Sequence, residues 1–184
     1  MISEQAKAGF EYLLKEAIKD NLIASADDRC EVDAIADMKS INQSEMVVLT
    51  ISSYLFRLIT FFYFSKDKET KGHFARKVGA QAKDLGESQF YDTVAEFGNI
   101  YCGALNRDLN KYFPHVGMST PNILEKHCVA YMGALGGGFV RHFKISVNGS
   151  VDFHASLCVC DHADLNFVVE TKVADDSTGE LELF

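Results

Sequence analysis

Tryptophan is absent, proline occurs only twice, and there is no Cys-x-x-Cys pair. So few prolines exclude a Pro-rich linker, and 13 scattered glycines exclude a collagen-like repeat. Without Cys-x-x-Cys, zinc-ribbon and thioredoxin-like readings lose their main support. The five cysteines, Cys30, Cys102, Cys128, Cys158 and Cys160, are an odd number. The start of the sequence, MISEQAKAGFEYLLKE, has no apolar signal-peptide core, so free and mostly buried thiols in a cytoplasmic protein are expected. Basic runs are missing as well. The chain has 26 Asp+Glu against 18 Lys+Arg, a formal charge of −8, and no stretch of five Lys or Arg. Such a chain repels phosphate backbones, which disfavours nucleic-acid binding and polybasic membrane docking.

What is present is the composition of a globular chain: 184 residues, 47% hydrophobic and 24% charged. One domain is expected over residues 1–173, followed by an acidic tail, 174–184, that is a candidate for disorder. The longest apolar run, VVLTISSYLFRLITFFYF at 47–64, reaches the lower edge of a membrane span, but Arg57 sits in its middle. That charge costs about 2.5–3.5 kcal/mol in a bilayer. A buried strand leading into a buried helix is therefore expected instead.

Spacing predicts a helix over 3–23 capped by Ser3, strands over 30–40 and 44–51, and a helix over 53–64. The charged segment 65–87 reads as a loop with a short exposed helix. A long helix is expected over 88–112, opened by Ser88 and closed before Pro114. The period then shortens to two. Phe139–Val147 and Val151–Cys160 alternate around Asn148–Gly149, the strongest short hairpin signal, so each strand is expected to turn one side to the core. The glycine-rich stretch 133–138 before them is expected to be a loop. It lacks the Gly-x4-Gly-Lys pattern of a phosphate loop. The fold class is α+β, a mostly antiparallel sheet packed by helices.

The long helix carries the chemistry. Phe90, Val94, Phe97, Tyr101, Leu105 and Leu109 share one face, and Asp92, Glu96, Asn99, Gly103 and Asn106 another. Glu96 and Asn99 are three apart and therefore neighbours on the helix surface. A carboxylate can take a lysine; an amide can accept from a water and donate to an anion at once. No nucleophile and no metal cage accompany them, which suits a hydrolysis whose electrophile and metal come from elsewhere. Gly98 and Gly103 each weaken the helix by about 1 kcal/mol. Gly98 is expected to face a neighbouring element of the fold, Gly103 a partner surface.

The string Asp92-x3-Glu96-Phe97-Gly98-Asn99-Ile100-x-Cys102-Gly103, with Pro121 following Asn99 after 21 intervening residues, resembles the signature of the CheC/CheX/FliY chemotaxis phosphatases. The first helix has Lys19, not Asn, three residues after Glu16, so a single copy is present, as in CheX. The resemblance implies a cytoplasmic homodimer that dephosphorylates a CheY-like response regulator. It implies Asn99 as the residue that orients the attacking water and Glu96 as the partner of the regulator's lysine. Asp92 would help fix the helix or the contact, and Pro121 would shape the loop beside it. It implies no cofactor of the chain's own, with Mg²⁺ held by the phosphorylated partner. Two departures are visible: the 65–87 connection is long and charged, and Thr120 replaces the first of two common prolines. A non-catalytic scaffold of the same fold is the alternative. A lesser one is a metal protein using His154, Cys158, Cys160 and His162, although a sheet face covered by another element or a dimer partner accounts for these residues more simply.

Overall fold

The structure, a computed structural model, describes residues 1–81 and 85–170, and the backbone alone at 130–134. The expected tail, 174–184, lies outside the described residues. Three helices, α1 (Glu4–Leu22), α2 (Lys68–Lys77) and α3 (Glu87–Leu109), accompany one antiparallel seven-stranded sheet. Its strands are β1 (Cys30–Ile35), β2 (Glu45–Ser52), β3 (Phe56–Phe64), β4 (Gly117–Met118), β5 (Asn122–Glu125), β6 (Phe139–Val147) and β7 (Val151–Asp161). The order is β1-β6-β7-β3-β2-β4, with β5 pairing β2 alongside β4. The architecture is α+β, as expected.

Local chemistry explains the ends of these elements. The Ser3 hydroxyl accepts from Ala6 N at 3.1 Å and opens α1. Asn148 and Gly149 take φ of 54° and 63°, the left-handed pair that a two-residue hairpin turn requires. The long helix starts one residue before Ser88, with Gly86 as its cap and Gln89 accepting from the Gly86 N–H.

Four expectations are corrected. Residues 53–64 are not a helix. Ser53 Oγ accepts from Leu55 N and Phe56 N, closing a hairpin turn, and Phe56–Phe64 is a strand at the centre of the sheet between β2 and β7. Both its faces are buried, so its sequence has no alternation to distinguish it from a buried helix. The strand from Cys30 ends at Ile35, not 40. Strand β7 is buried on both faces, not one. Residues 133–135 belong to a 3-10 helix, Lys126–Leu135, that leads into the remaining glycines.

The sheet has two covered faces. On one, Leu49, Leu58, Phe62, Phe143, Phe153 and Leu157 meet the three helices in the main core. On the other, Met46, Ile59, Phe61, Tyr63, Cys158 and Cys160 lie against Ile41 and Val129. The expected covering of the cysteine face is therefore met within the chain. His154 Nδ1 pairs with Gln43 Oε1 at 2.9 Å, Cys160 donates to Leu135 O at 3.1 Å, and His162 is exposed past the strand end. Among the described residues no three His, Cys, Asp or Glu side chains form a metal-holding group, and no helix is long and apolar enough to cross a membrane.

Two contacts seat α3. A Cβ on Gly98 would lie 2.8 Å from Val47 Cγ1 and 3.1 Å from Leu49 Cδ1, so the glycine lets the helix rest on β2. Three residues on, the buried Tyr101 and Thr60 hydroxyls share a hydrogen bond of 2.8 Å with the central strand. Phe62 and Phe97 meet edge to face at 4.8 Å between them.

Helix α2 exists where a short exposed helix was expected, but it is half sunk. Phe74 packs on Phe90, Phe97 and Phe153 at about 6 Å. His73 Nε2 pairs with Leu22 O at 3.0 Å, and Lys77 Nζ donates to Asn21 O and Ile23 O, satisfying carbonyls at the end of α1. Arg76 reaches Asp28 at 3.5 Å. Asp28 in turn accepts from Asn148 Nδ2 and Ala24 N, which hold its carboxyl down to about 2.

Three outcomes follow from this packing. Gly98→Ala gains helix propensity but drives a methyl into the branched Val47, so a net loss of about 1–2 kcal/mol is expected in urea unfolding. Tyr101→Phe strands the buried Thr60 hydroxyl at a cost of about 1–3 kcal/mol. Adding Thr60→Val recovers much of that loss, and the double-mutant cycle reports the coupling. Burial holds the His73 imidazole down to about 4. Between about pH 6.5 and that value the unfolded chain binds a proton that the native chain does not. Stability therefore falls as pH drops through this window, and His73→Gln removes about one proton from the measured slope.

Candidate functional site

Because the Gly98–Val47 and Tyr101–Thr60 contacts set the rotation of α3 about its axis, the opposite side of the helix is committed to solvent. Phe90, Val94, Phe97, Tyr101, Leu105 and Leu109 are buried, as the spacing predicts. Asp92, Glu96 and Asn99 are exposed. The carboxylate and the amide thus stand one turn apart with open approach. Gly98 faces the sheet, as expected. Gly103 is half-buried, and a Cβ there would sit 3.9 Å from Met118 Sδ, so β4 of the same chain lies beside it. Pro121 is half-buried in the connection between β4 and β5, both of which touch α3. The six residues singled out from the sequence therefore divide: three face solvent, and the two glycines and the proline shape the support.

Sequence reasoning missed the other side of the site. An open groove of about 400 Å³ runs beside Glu96, lined by Lys77 and Val78 at the end of α2 and by Asp92, Glu96, Phe97 and Ile100 of α3. Val78 is 54% exposed and Ile100 45%. The only available signal was Val78 four residues after Phe74, and it did not show on which side the short helix docks.

The electrostatics are one-sided. Among the described residues no ion pair engages Asp92 or Glu96. The nearby lysine, Lys77, spends its ammonium on the carbonyls of Asn21 and Ile23. Further along the helix, Tyr91 OH donates to Glu45 Oε1 at 2.6 Å while Lys66 lies 3.7 Å from the same oxygen, tying the start of α3 to β2. Cys102 is fully buried, and burial pushes its thiol up to about 12, so it is no nucleophile. The Tyr101 hydroxyl is raised by burial as well. The face offers two carboxylates to dock a cation and one neutral amide to hold a water or an anion.

No protein-family model matches the chain, and no curated protein matches it. Solved structures do. CheX from Vibrio vulnificus superposes with a TM-score of 0.59 at 16% identity, over 82% of this chain and 95% of that one. CheX from Desulfovibrio desulfuricans gives 0.59 at 14%, over 82% and 99%. CheX of Borrelia burgdorferi, in a complex with CheY, BeF3 and Mg²⁺, gives 0.61 at 10%, over 84% and 97%. Identities this low speak for the backbone alone, and on that evidence the chain has the fold of the CheC/CheX/FliY chemotaxis proteins.

Proposed function

We propose that the chain is a phosphatase for the phosphoaspartate of a CheY-like response regulator, acting in chemotaxis or a related two-component pathway. The observation that carries this reading is the exposure of Glu96 and Asn99, one turn apart on a helix whose opposite face is locked into the core. The CheC/CheX/FliY-like signature falls on that helix, and one solved protein of the same fold is in complex with CheY.

The chemistry fits so small an inventory. In an acyl phosphate the leaving group is a carboxylate, whose ordinary pKa near 4 lets it depart without a proton donor. Water attacks phosphorus, the bond to the aspartyl oxygen breaks, and the water's proton passes to the phosphate product. Mg²⁺ held by the partner would supply the charge neutralisation at the phosphoryl group. What remains for this chain is alignment. Asn99 accepts a hydrogen bond from the water through its carboxamide oxygen and fixes it in line, which is catalysis by positioning. Glu96 pairs with a regulator lysine and docks the helix; Asp92 adds negative charge one turn away. The homodimer expected from the resemblance is part of this proposal.

Receiver domains charged by a small phosphodonor provide the test. The native protein should speed phosphate release from at least one of them. Asn99→Ala should lower kcat by about 10²-fold or more with KM little changed. Glu96→Ala should raise KM about tenfold. A protein that binds a receiver domain tightly without speeding release is a scaffold, and that outcome overturns the enzymatic reading.

A further inference from the structure

The groove beside Glu96 has two unlike lips. One carries the unpaired carboxylates of Asp92 and Glu96. The other, at the end of α2, is Val78, exposed and apolar; Ile100, one turn beyond Glu96 on α3, is a second exposed apolar side chain. Between them lies the Phe97 ring, and the Lys77 ammonium is 6.0 Å above its centroid while donating to the end of α1. The lysine therefore offers the groove its aliphatic stem more than its charge. We propose that the last turn of α2, ending at Val78, is a second wall of the docking site and selects a regulator that presents an aliphatic or aromatic side chain beside a Lys or Arg. The inference rests on the docking role given to α3 above, and it deepens that role by naming what the partner must show.

Charge complementarity fixes the occupant. Two carboxylates without partners attract a cation, while an exposed valine and isoleucine within the same groove are stabilised only by covering with apolar surface. A partner segment with both features satisfies both lips; a uniformly polar or acidic one satisfies neither. The wall is also preformed. His73 on Leu22 O, Lys77 on Asn21 O and Ile23 O, and Arg76 on Asp28 tie α2 to the end of α1 and the turn after it. Little ordering of α2 is then left for the moment of binding. Because α2 lies within the 65–87 connection, that segment would read the partner while α3 does the chemistry.

The test is titration of receiver domains loaded with beryllofluoride and Mg²⁺, together with turnover of the phosphorylated forms. Val78→Asn should weaken binding of the preferred receiver tenfold or more and raise KM equally, with kcat within twofold of native. Val78→Leu should retain native affinity. Asp92→Asn should weaken binding and reduce its dependence on salt. Val140→Asn is the control. Val140 is also exposed, but it lies opposite Cys158 on the sheet face away from α3, and its affinity should not move. Unchanged affinity in Val78→Asn, while Asn99→Ala still abolishes turnover, overturns this inference and leaves the phosphatase reading standing. A native protein that binds none of the loaded receivers overturns both.

Discussion

One constraint governs the rest: α3 can lie on the sheet in a single rotation. Gly98 permits close approach only where it faces Val47 and Leu49, and the Tyr101 hydroxyl finds its buried partner only above Thr60. Turning the helix by one residue, about 100°, would drive a side chain into Val47 and leave both hydroxyls unpaired in the core. The polar face is thus aimed by the apolar one. The precision with which Glu96 and Asn99 are placed comes from the scaffold behind them. The weak helix former at Gly98 is the cost of that precision.

Much of this was legible in the residues. Helix α3 announces itself by a long 3.6 period, and the period alone separates Phe97 and Tyr101 from Glu96 and Asn99. Asn148–Gly149 announces its hairpin because few other residue pairs take two left-handed conformations in succession. The central strand was not legible. Phe56–Phe64 is covered on both faces, and a strand without a solvent side has no alternation to display. The same physics hid the groove beside Glu96. Val78 follows a short helix whose contacts, Phe74 on Phe153 and Arg76 on Asp28, join residues far apart in the chain, and no local pattern encodes them.

The second face of the sheet shows how an apparent ligand set can be structural. His154, Cys158 and Cys160 share a face by alternation, yet the two thiols are covered by packing or a hydrogen bond within the chain and His154 Nδ1 is taken by Gln43, which leaves Nε2 as the one buried atom of the set without a partner among the described residues. Burial pushes the Cys158 thiol up to about 11, away from the thiolate that a soft metal needs. Ser156 joins Tyr63 and His142 in a short buried chain of hydrogen bonds at 3.1 and 2.7 Å. It satisfies polar atoms that the two-faced burial of β7 would otherwise strand.

The strand order carries a consequence for synthesis. Strand β7, near the end of the described chain, occupies the middle of the sheet between β6 and β3, and β1 pairs only with β6. While a ribosome is still extending the chain, the aromatic edge of Phe56–Phe64 is therefore open on one flank, and β1 has nothing to pair with. Sheet closure waits for residues about a hundred positions downstream, which makes for slow, non-local folding and a nascent chain prone to sticking to its neighbours. That flank closes only once β7 has been made.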